Sequence, residues 1–279
     1  VSLRCYSTSL GCPKNRVDTE RLLGSLGVAL VPVESPDEAE LVFINTCAFI
    51  QPATEESVRT IAQAIADIEE LPKRPLLAVA GCLVGRYHAE DLAPELPEVD
   101  LWLDNSDLEA WPAMLARKLG LPEPTVPGRI LSTGPSYAWL KISDGCRHAC
   151  SFCAIPNIRG GHRSHCKDMI VREARALLDQ GVKELNLVAQ DLTEWGCDLD
   201  GKQDLRTLLD GLLPLPGLER LRLMYLYPAG MTHEMLKYLR EAGKPFVPYF
   251  DVPVQHSHPD VLSRMGRPFA RNPREAIDR

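Results

Sequence analysis

Short apolar runs alternate with stretches of helical period along the first 120 residues. Strand-like runs fall at 3–10, 41–46, 76–80 and 99–103, and helix patterns at 17–26, 54–70, 83–92 and 108–119. This alternation predicts a parallel sheet with helices on both faces, a doubly wound α/β domain. A second alternating series follows, with strands at 138–143, 184–188, 220–225 and 249–254 and helices at 167–180, 205–213, 232–241 and 258–265. Four β/α units without a sequence repeat fit a (β/α) barrel, expected to be partial because the chain ends before six or eight units are complete. The expected fold is α/β: an N-terminal doubly wound parallel-sheet domain over 1–120, then a truncated barrel over 137–279. Between them, residues 121–136 hold Pro122, Pro124, Pro127 and Pro135 with Gly128 and Gly134, the composition of an extended linker.

Composition adds exclusions. Apolar residues make up 45% and charged residues 25%, the ordinary mix of a soluble globular protein. No apolar run approaches the length of a membrane-spanning helix, and no basic segment followed by an apolar stretch marks a signal peptide, so a cytoplasmic protein with no membrane partner is expected. The first residue is not Met and residues 272–279 read as a helix cut short, so a fragment is expected at both ends. The net charge is -7, but residues 1–120 sum to -9 and the remainder to +2. An acidic first domain argues against wrapping nucleic acid, because phosphate neutralisation needs Lys and Arg. Plain solubility explains the same charge.

Nine cysteines in a chain without a secretory signal disfavour a disulfide framework and favour metal ligation or catalysis in a reducing compartment. Cys12, Cys47 and Cys82 each fall at or just beyond the carboxyl end of a predicted strand, in SLGC, INTC and VAGC. In a parallel sheet these ends share one edge, where doubly wound folds bind ligands. Gly11 and Gly81 precede two of them and let the backbone approach a ligand closely. Three thiolates without an evident fourth ligand suit an iron–sulfur cluster with one open iron, whereas structural zinc has four closed ligands. Buried inert cysteines are the alternative. Cys5, inside the first strand, reads as core.

Cys146, Cys150 and Cys153 form C-x-x-x-C-x-x-C after the first barrel strand, at the end where barrel chemistry resides. The spacing lets three thiolates hold one 4Fe–4S cluster with its fourth iron free; His148 completing a zinc site is the alternative. Cys166 and Cys197 lack such spacing and read as structural or incidental. Arg159, His162 and Arg163 read as a solvated basic face.

At these residues the chain resembles the radical S-adenosylmethionine superfamily, in which the free iron chelates the cofactor's methionine moiety. Phe152 stands where that family usually has an aromatic residue before the last cysteine. The whole chain resembles the methylthiotransferase branch: SLGCPKNRVDTE, NTCAFIQPATEES, GCLVGRY, KISDGCRHACSFCAIPNIRGGHRS, LNLVAQDLTEWG and YLYP together cover nearly all of it. GCPKN, AQD and CAIPNIRG are closer to the enzymes that modify an aspartate of the small-subunit decoding-centre ribosomal protein than to those that modify transfer-RNA adenosine. The family continues through the rest of the barrel to a C-terminal β-barrel domain, neither of which is expected within these residues, and HCKD at 165–168 stands in place of its basic-Pro step.

The resemblance implies two 4Fe–4S clusters, on Cys12, Cys47 and Cys82 and on Cys146, Cys150 and Cys153, with S-adenosylmethionine as cosubstrate. The second cluster cleaves the cofactor to a radical that takes a hydrogen from the aspartate β-carbon, and the first supplies the sulfur that becomes the methylthio group. Phe152, Gln190, Asp191 and Gln255 are the candidate cofactor-binding residues; beyond the cluster ligands no catalytic residue is assigned. Partners implied are the small-subunit ribosomal protein, an electron donor such as a flavodoxin or ferredoxin, and a sulfur donor. A transfer-RNA adenosine methylthiotransferase shares every cluster residue. A non-enzymatic iron–sulfur or sulfur carrier explains the cysteines but not the barrel, and a zinc-binding nucleic-acid module conflicts with the acidic first domain.

Overall fold

The computed structural model describes residues 2–267. They fall into two compact units, one of residues up to Ser132 together with Asn157–Arg159, the other of Thr133–Pro156 and the residues from Gly160 onward. The helix pattern read at 272–279 lies outside the described residues.

The first unit runs β1 (Ser2–Ser9), α1 (Pro13–Ser25), β2 (Ala29–Pro32), β3 (Leu41–Thr46), α2 (Gln51–Ile68), β4 (Leu76–Gly81), α3 (Cys82–Tyr87), α4 (Ala89–Leu92), β5 (Leu101–Leu103) and α5 (Trp111–Leu119). The strands are all parallel in the order β2-β1-β3-β4-β5, the doubly wound arrangement expected. Central β3 is buried at every position, which is why its sequence is a continuous apolar run rather than an alternating one. Leu41, Phe43, Ala78 and Ala80 pack with Leu22 of α1, Leu26 just after it, and Trp111 and Leu115 of α5. Val42, Ile44, Leu77 and Val79 alternate to the opposite face, and α2, which lies against β3, buries Ile61, Ala64 and Ile68. Ser9 pairs with Asn45 and Asn45 with Ala80, so β1, β3 and β4 end level with one another.

Two details differ from the sequence pattern. β2, unpredicted, is a four-residue exposed edge strand ending in Pro32, too short for a periodic signal. The helix read at 83–92 is broken at His88, whose φ is +58°. Residues 121–132 form no regular element but do not hang free. Glu20, 2% exposed, accepts bonds from Arg129 Nε and Nη2 at 2.9 and 2.7 Å, and from Ser132 N and Oγ at 2.9 and 2.6 Å. A buried carboxylate needs that many donors.

The second unit runs β6 (Tyr137–Lys141), β7 (Ser143–Asp144), α6 (Ile155–Arg159, its last three residues belonging to the first unit), β8 (Arg163–Ser164), α7 (Lys167–Asp179), β9 (Glu184–Val188), α8 (Leu205–Leu212), β10 (Arg220–Leu223), α9 (His233–Ala242), β11 (Phe246–Phe250) and α10 (Pro259–Arg264). β6, β9, β10 and β11 make a parallel sheet in the order β11-β10-β9-β6, each followed by a helix, the start of a (β/α) barrel as expected. Helices α8 and α9 begin at side-chain caps, Asp204 accepting from Thr207 N at 2.9 Å and Thr232 from Met235 N at 3.2 Å. β11 lies earlier than the pattern placed it: its ladder to β10 pairs Phe246 with Leu221 and Phe250 with Leu223, and the register shifts between them, where Pro248 has no N–H to donate. β7 and β8 pair antiparallel and close the base of the loop that holds Cys146, Cys150 and Cys153. Among the described residues no helix is long and apolar enough to cross a membrane.

Candidate metal centres

Cys12, Cys47 and Cys82 follow the level ends of the three neighbouring strands β1, β3 and β4. Cys12 is the residue before α1, Cys47 follows Thr46, and Cys82 opens α3. A buried polar network fixes these three loops. Asn15, fully buried, donates to Leu10 O and Thr46 O at 2.9 and 2.8 Å; Asn45 donates to Asn15 O at 2.9 Å. Thr46 Oγ1 donates to Ala80 O at 2.6 Å and accepts from Leu83 N at 3.1 Å. Ser57 Oγ donates to Cys47 O at 2.7 Å and accepts from Cys47 N at 3.0 Å. Gly11, at φ +80°, has no room for a side chain: a Cβ there would sit 2.6 Å from Cys47 Cβ and 2.7 Å from its Sγ. The loops are therefore held close and rigid at a sheet edge.

Arg159 belongs to this site and was not read there from sequence. The expected solvated basic face is wrong for it and for His162. Arg159 is 3% exposed and donates to Asn15 Oδ1 at 2.5 Å and to Asp18 Oδ2 at 3.1 and 3.2 Å. The His162 side chain is 2% exposed and bonds Ser164 Oγ at 3.0 Å, while Arg163 is exposed as expected. Cys47 and Cys82 share a thiol–thiol hydrogen bond that, with the nearby Arg159 guanidinium, pulls the Cys82 thiol below its ordinary value against the push of burial. The same bond and burial push the Cys47 thiol up.

The second thiol set is local. Cys146, Cys150 and Cys153 are half-buried on one loop. Gly145, at φ +68°, turns the chain into it, Cys146 N donates to Gly160 O at 3.2 Å, and Cys153 N to Cys150 O at 3.0 Å. Each sulfur meets an N–H donor: Cys146 that of His148 at 3.5 Å, Cys150 that of Arg267 Nη1 at 3.5 Å, and Cys153 the backbone of Ile155. Burial pushes the Cys146 thiol up to about 11 and raises that of Cys153.

These residues fit iron–sulfur ligation better than a single ion. Each set is three thiols with donors aimed at sulfur, the surroundings that tune such clusters. Among the described residues His148, Asp191 and Glu194 bring three donor atoms within 4.8 Å of one another, and so do His162, Cys197 and Asp198, whereas neither cysteine set does. His148, the alternative zinc ligand, has its Nε2 2.7 Å from Asp191 Oδ2 and its ring stacked on Tyr227 at 3.9 Å. Cys5 is buried in β1 as expected, and Cys166 and Cys197 are exposed.

The candidate cofactor residues are placed unequally. Gln190, just past β9, has both amide atoms buried with no hydrogen-bond partner among the described residues. Asp191, 2% exposed, accepts Thr193 N and Oγ1 at 2.8 and 2.7 Å as well as meeting His148. Phe152 is 47% exposed on the cysteine loop. Gln255 does not directly follow β11: it lies exposed in the loop beyond, at φ +69°, a strained conformation outside glycine. His165, in the HCKD segment, packs its ring nitrogens against Lys141 O at 3.1 Å and Asp144 Oδ2 at 3.3 Å, with Lys141 Nζ 2.8 Å from the same carboxylate.

Each unit thus carries three cysteines at the carboxyl-end edge of a parallel sheet. The model of the Radical SAM superfamily matches residues 140–279, half the chain, and the chain belongs to that superfamily. An iron–sulfur cluster and S-adenosylmethionine come with that membership. A model described as Uncharacterized protein family UPF0004 matches residues 4–104. The chain is 69% identical over 274 residues to the ribosomal protein uS12 methylthiotransferase RimO of Nitratidesulfovibrio vulgaris strain Hildenborough, covering 98% of this chain and 64% of that protein. It is 61% identical over 278 residues to the protein of the same name from Lawsonia intracellularis, covering 99% and 63%. It thus spans under two thirds of the length of these relatives. The resemblance read from the motifs, to the methylthiotransferase branch, agrees with them. Among solved structures, the radical S-adenosylmethionine methyltransferase TsrM from Kitasatospora setae shares the fold at TM-score 0.64 and 14% identity, covering 94% of this chain and 60% of TsrM. The cobalamin-dependent radical enzyme OxsB does so at TM-score 0.61 and 14% identity, covering 99% and 47%.

Proposed function

We propose that the protein containing this chain is a radical S-adenosylmethionine methylthiotransferase that adds a methylthio group to the β-carbon of an aspartate in ribosomal protein uS12. The observation that carries this reading is the 69% identity, over 98% of the chain, to a protein named for that activity. Cys12, Cys47 and Cys82 hold one 4Fe–4S cluster, and Cys146, Cys150 and Cys153 hold the other, so that residues 1–120 form the sulfur-bearing domain and 137–279 the radical domain. When bound, the cofactors supply reductive cleavage of S-adenosylmethionine, hydrogen abstraction from the target carbon, and the methylthio group. The chain's own residues position and shield them. Gln190, whose buried amide offers a donor and an acceptor, and Gln255, held in a strained turn, are read as cofactor contacts. Phe152, exposed on the cysteine loop, is read as a further cofactor contact, and Asp191 acts through His148, fixing the ring against Tyr227.

A uS12 substrate places the protein in the cytoplasm, with a flavodoxin or ferredoxin as electron donor and a separate sulfur donor. The acidic first unit complements a basic protein substrate better than a polyanion. The test is to incubate the full-length enzyme with uS12 and with transfer RNA and read mass shifts of each. A methylthio increment on a uS12 aspartate with unmodified RNA is expected; the increment on RNA adenosine with unmodified uS12 would move the assignment to the transfer-RNA branch.

A further inference from the structure

We propose that Arg267 is the buried counter-charge of the cluster on Cys146, Cys150 and Cys153 and sets its reduction potential from outside the ligand set. This rests on the reading that those three thiolates hold an iron–sulfur cluster. Arg267 follows α10 and is 6% exposed. Its Nη1 donates to Cys150 Sγ at 3.5 Å and its Nη2 to Pro253 O at 2.5 Å. Its Cζ lies 4.3 Å from the centre of the Tyr227 ring, which also stacks on His148.

The placement is built. Ser151 N donates to Met265 O at 3.1 Å and Ser151 Oγ to Arg264 O at 3.0 Å, so residues 264–267 lie against the cysteine loop. Gly266, at φ +67°, makes the approach possible, since a Cβ there would sit 2.9 Å from Ala149 O. Burying a guanidinium is costly unless something compensates it, and thiolate sulfur, a carbonyl oxygen and an aromatic face each do so here. Reduction adds one negative charge to the cluster and its thiolates. A fixed positive charge hydrogen-bonded to a ligand sulfur stabilises the reduced form more than the oxidised one and raises the potential. Arg267 is thus a positioning residue that makes the cluster easier to reduce.

The test uses the full chain with Cys12, Cys47 and Cys82 changed to Ala, so that one cluster remains, reconstituted anaerobically and titrated electrochemically with detection by electron paramagnetic resonance. Failure of this parent to bind iron would overturn the cluster assignment beneath the proposal rather than the role of Arg267. With the parent loaded, R267M is expected to keep the parent's iron and shift the midpoint to more negative potential, and R267K to stay nearer the parent because it keeps the charge. Loss of iron from R267M with retention in R267K also supports the need for charge. An unchanged midpoint in R267M, an equal shift in both variants, or loss of iron from both overturns it.

Discussion

The two thiol sets reach similar chemistry by opposite routes. The first is topological: Cys12, Cys47 and Cys82 are separated by equal lengths of chain and meet because β1, β3 and β4 are neighbours that end level. Cys47 and Cys82 are 8% and 4% exposed. The second is local: three cysteines share one half-buried loop braced from outside by residues 264–267. Both offer a buried arginine to one sulfur, Arg159 to Cys82 and Arg267 to Cys150. A topological site depends on the whole unit being folded, whereas a local one depends on its loop and brace.

The largest effects test whether the sites divide the work. Cys150→Ala should abolish reductive cleavage of S-adenosylmethionine, read as 5′-deoxyadenosine released. Cys47→Ala should leave that cleavage in place and abolish methylthio transfer. Loss of cleavage in folded Cys47→Ala protein would show that the first site is not confined to sulfur delivery. Next, the reconstituted chain should bind about eight irons, four per cluster, and the Cys146, Cys150, Cys153 triple Ala variant about half of that. Stoichiometric zinc without iron after anaerobic purification would contradict both clusters.

Burial supplies a third test. Arg159 and Asp18 are each 2% exposed at the side chain and 3.1 Å apart. Removing one partner strands the other charge, so Arg159→Met should cost about 3–5 kcal/mol in chemical denaturation of the first unit. The same variant should raise the pH at which Cys82 ionises in the cluster-free protein, because the guanidinium helps hold that thiol down. A loss below about 1 kcal/mol, the range of surface pairs, would mean that the first site is not the rigid, buried one described.

What the sequence made legible was what is written locally. β3 reads as a strand because all its positions are buried, and β9 was placed to the residue because its apolar run is bounded by turn signals. The cysteine positions needed nothing more than strand ends and spacing. Arg159 was misread because its burial depends on Asp18 and Asn15, far away in the chain, and a basic residue in a Gly-rich segment looks solvated. Arg267 gave no signal for the same reason: its partners Cys150, Pro253 and Tyr227 come from three separate loops. The break at His88 escaped because a single left-handed residue leaves the apolar period on either side intact.

The smallest prediction deletes the same hydroxyl at each site. Ser57 is fully buried, and its Oγ both donates to Cys47 O at 2.7 Å and accepts from Cys47 N at 3.0 Å. Ser57→Ala leaves a buried N–H and a buried C=O without that partner, a penalty of about 1–3 kcal/mol. Ser151 is exposed, and its Oγ makes one bond, to Arg264 O at 3.0 Å, which water replaces when the hydroxyl is removed. Ser151→Ala should therefore cost about 0.5 kcal/mol or less. Denaturation midpoints of the two variants, measured on cluster-free protein so that metal binding does not add to stability, give the comparison directly. Equal losses would mean that the cysteine loop of the second unit is as deeply integrated as the sheet edge of the first, and the contrast between a topological and a local site would fail.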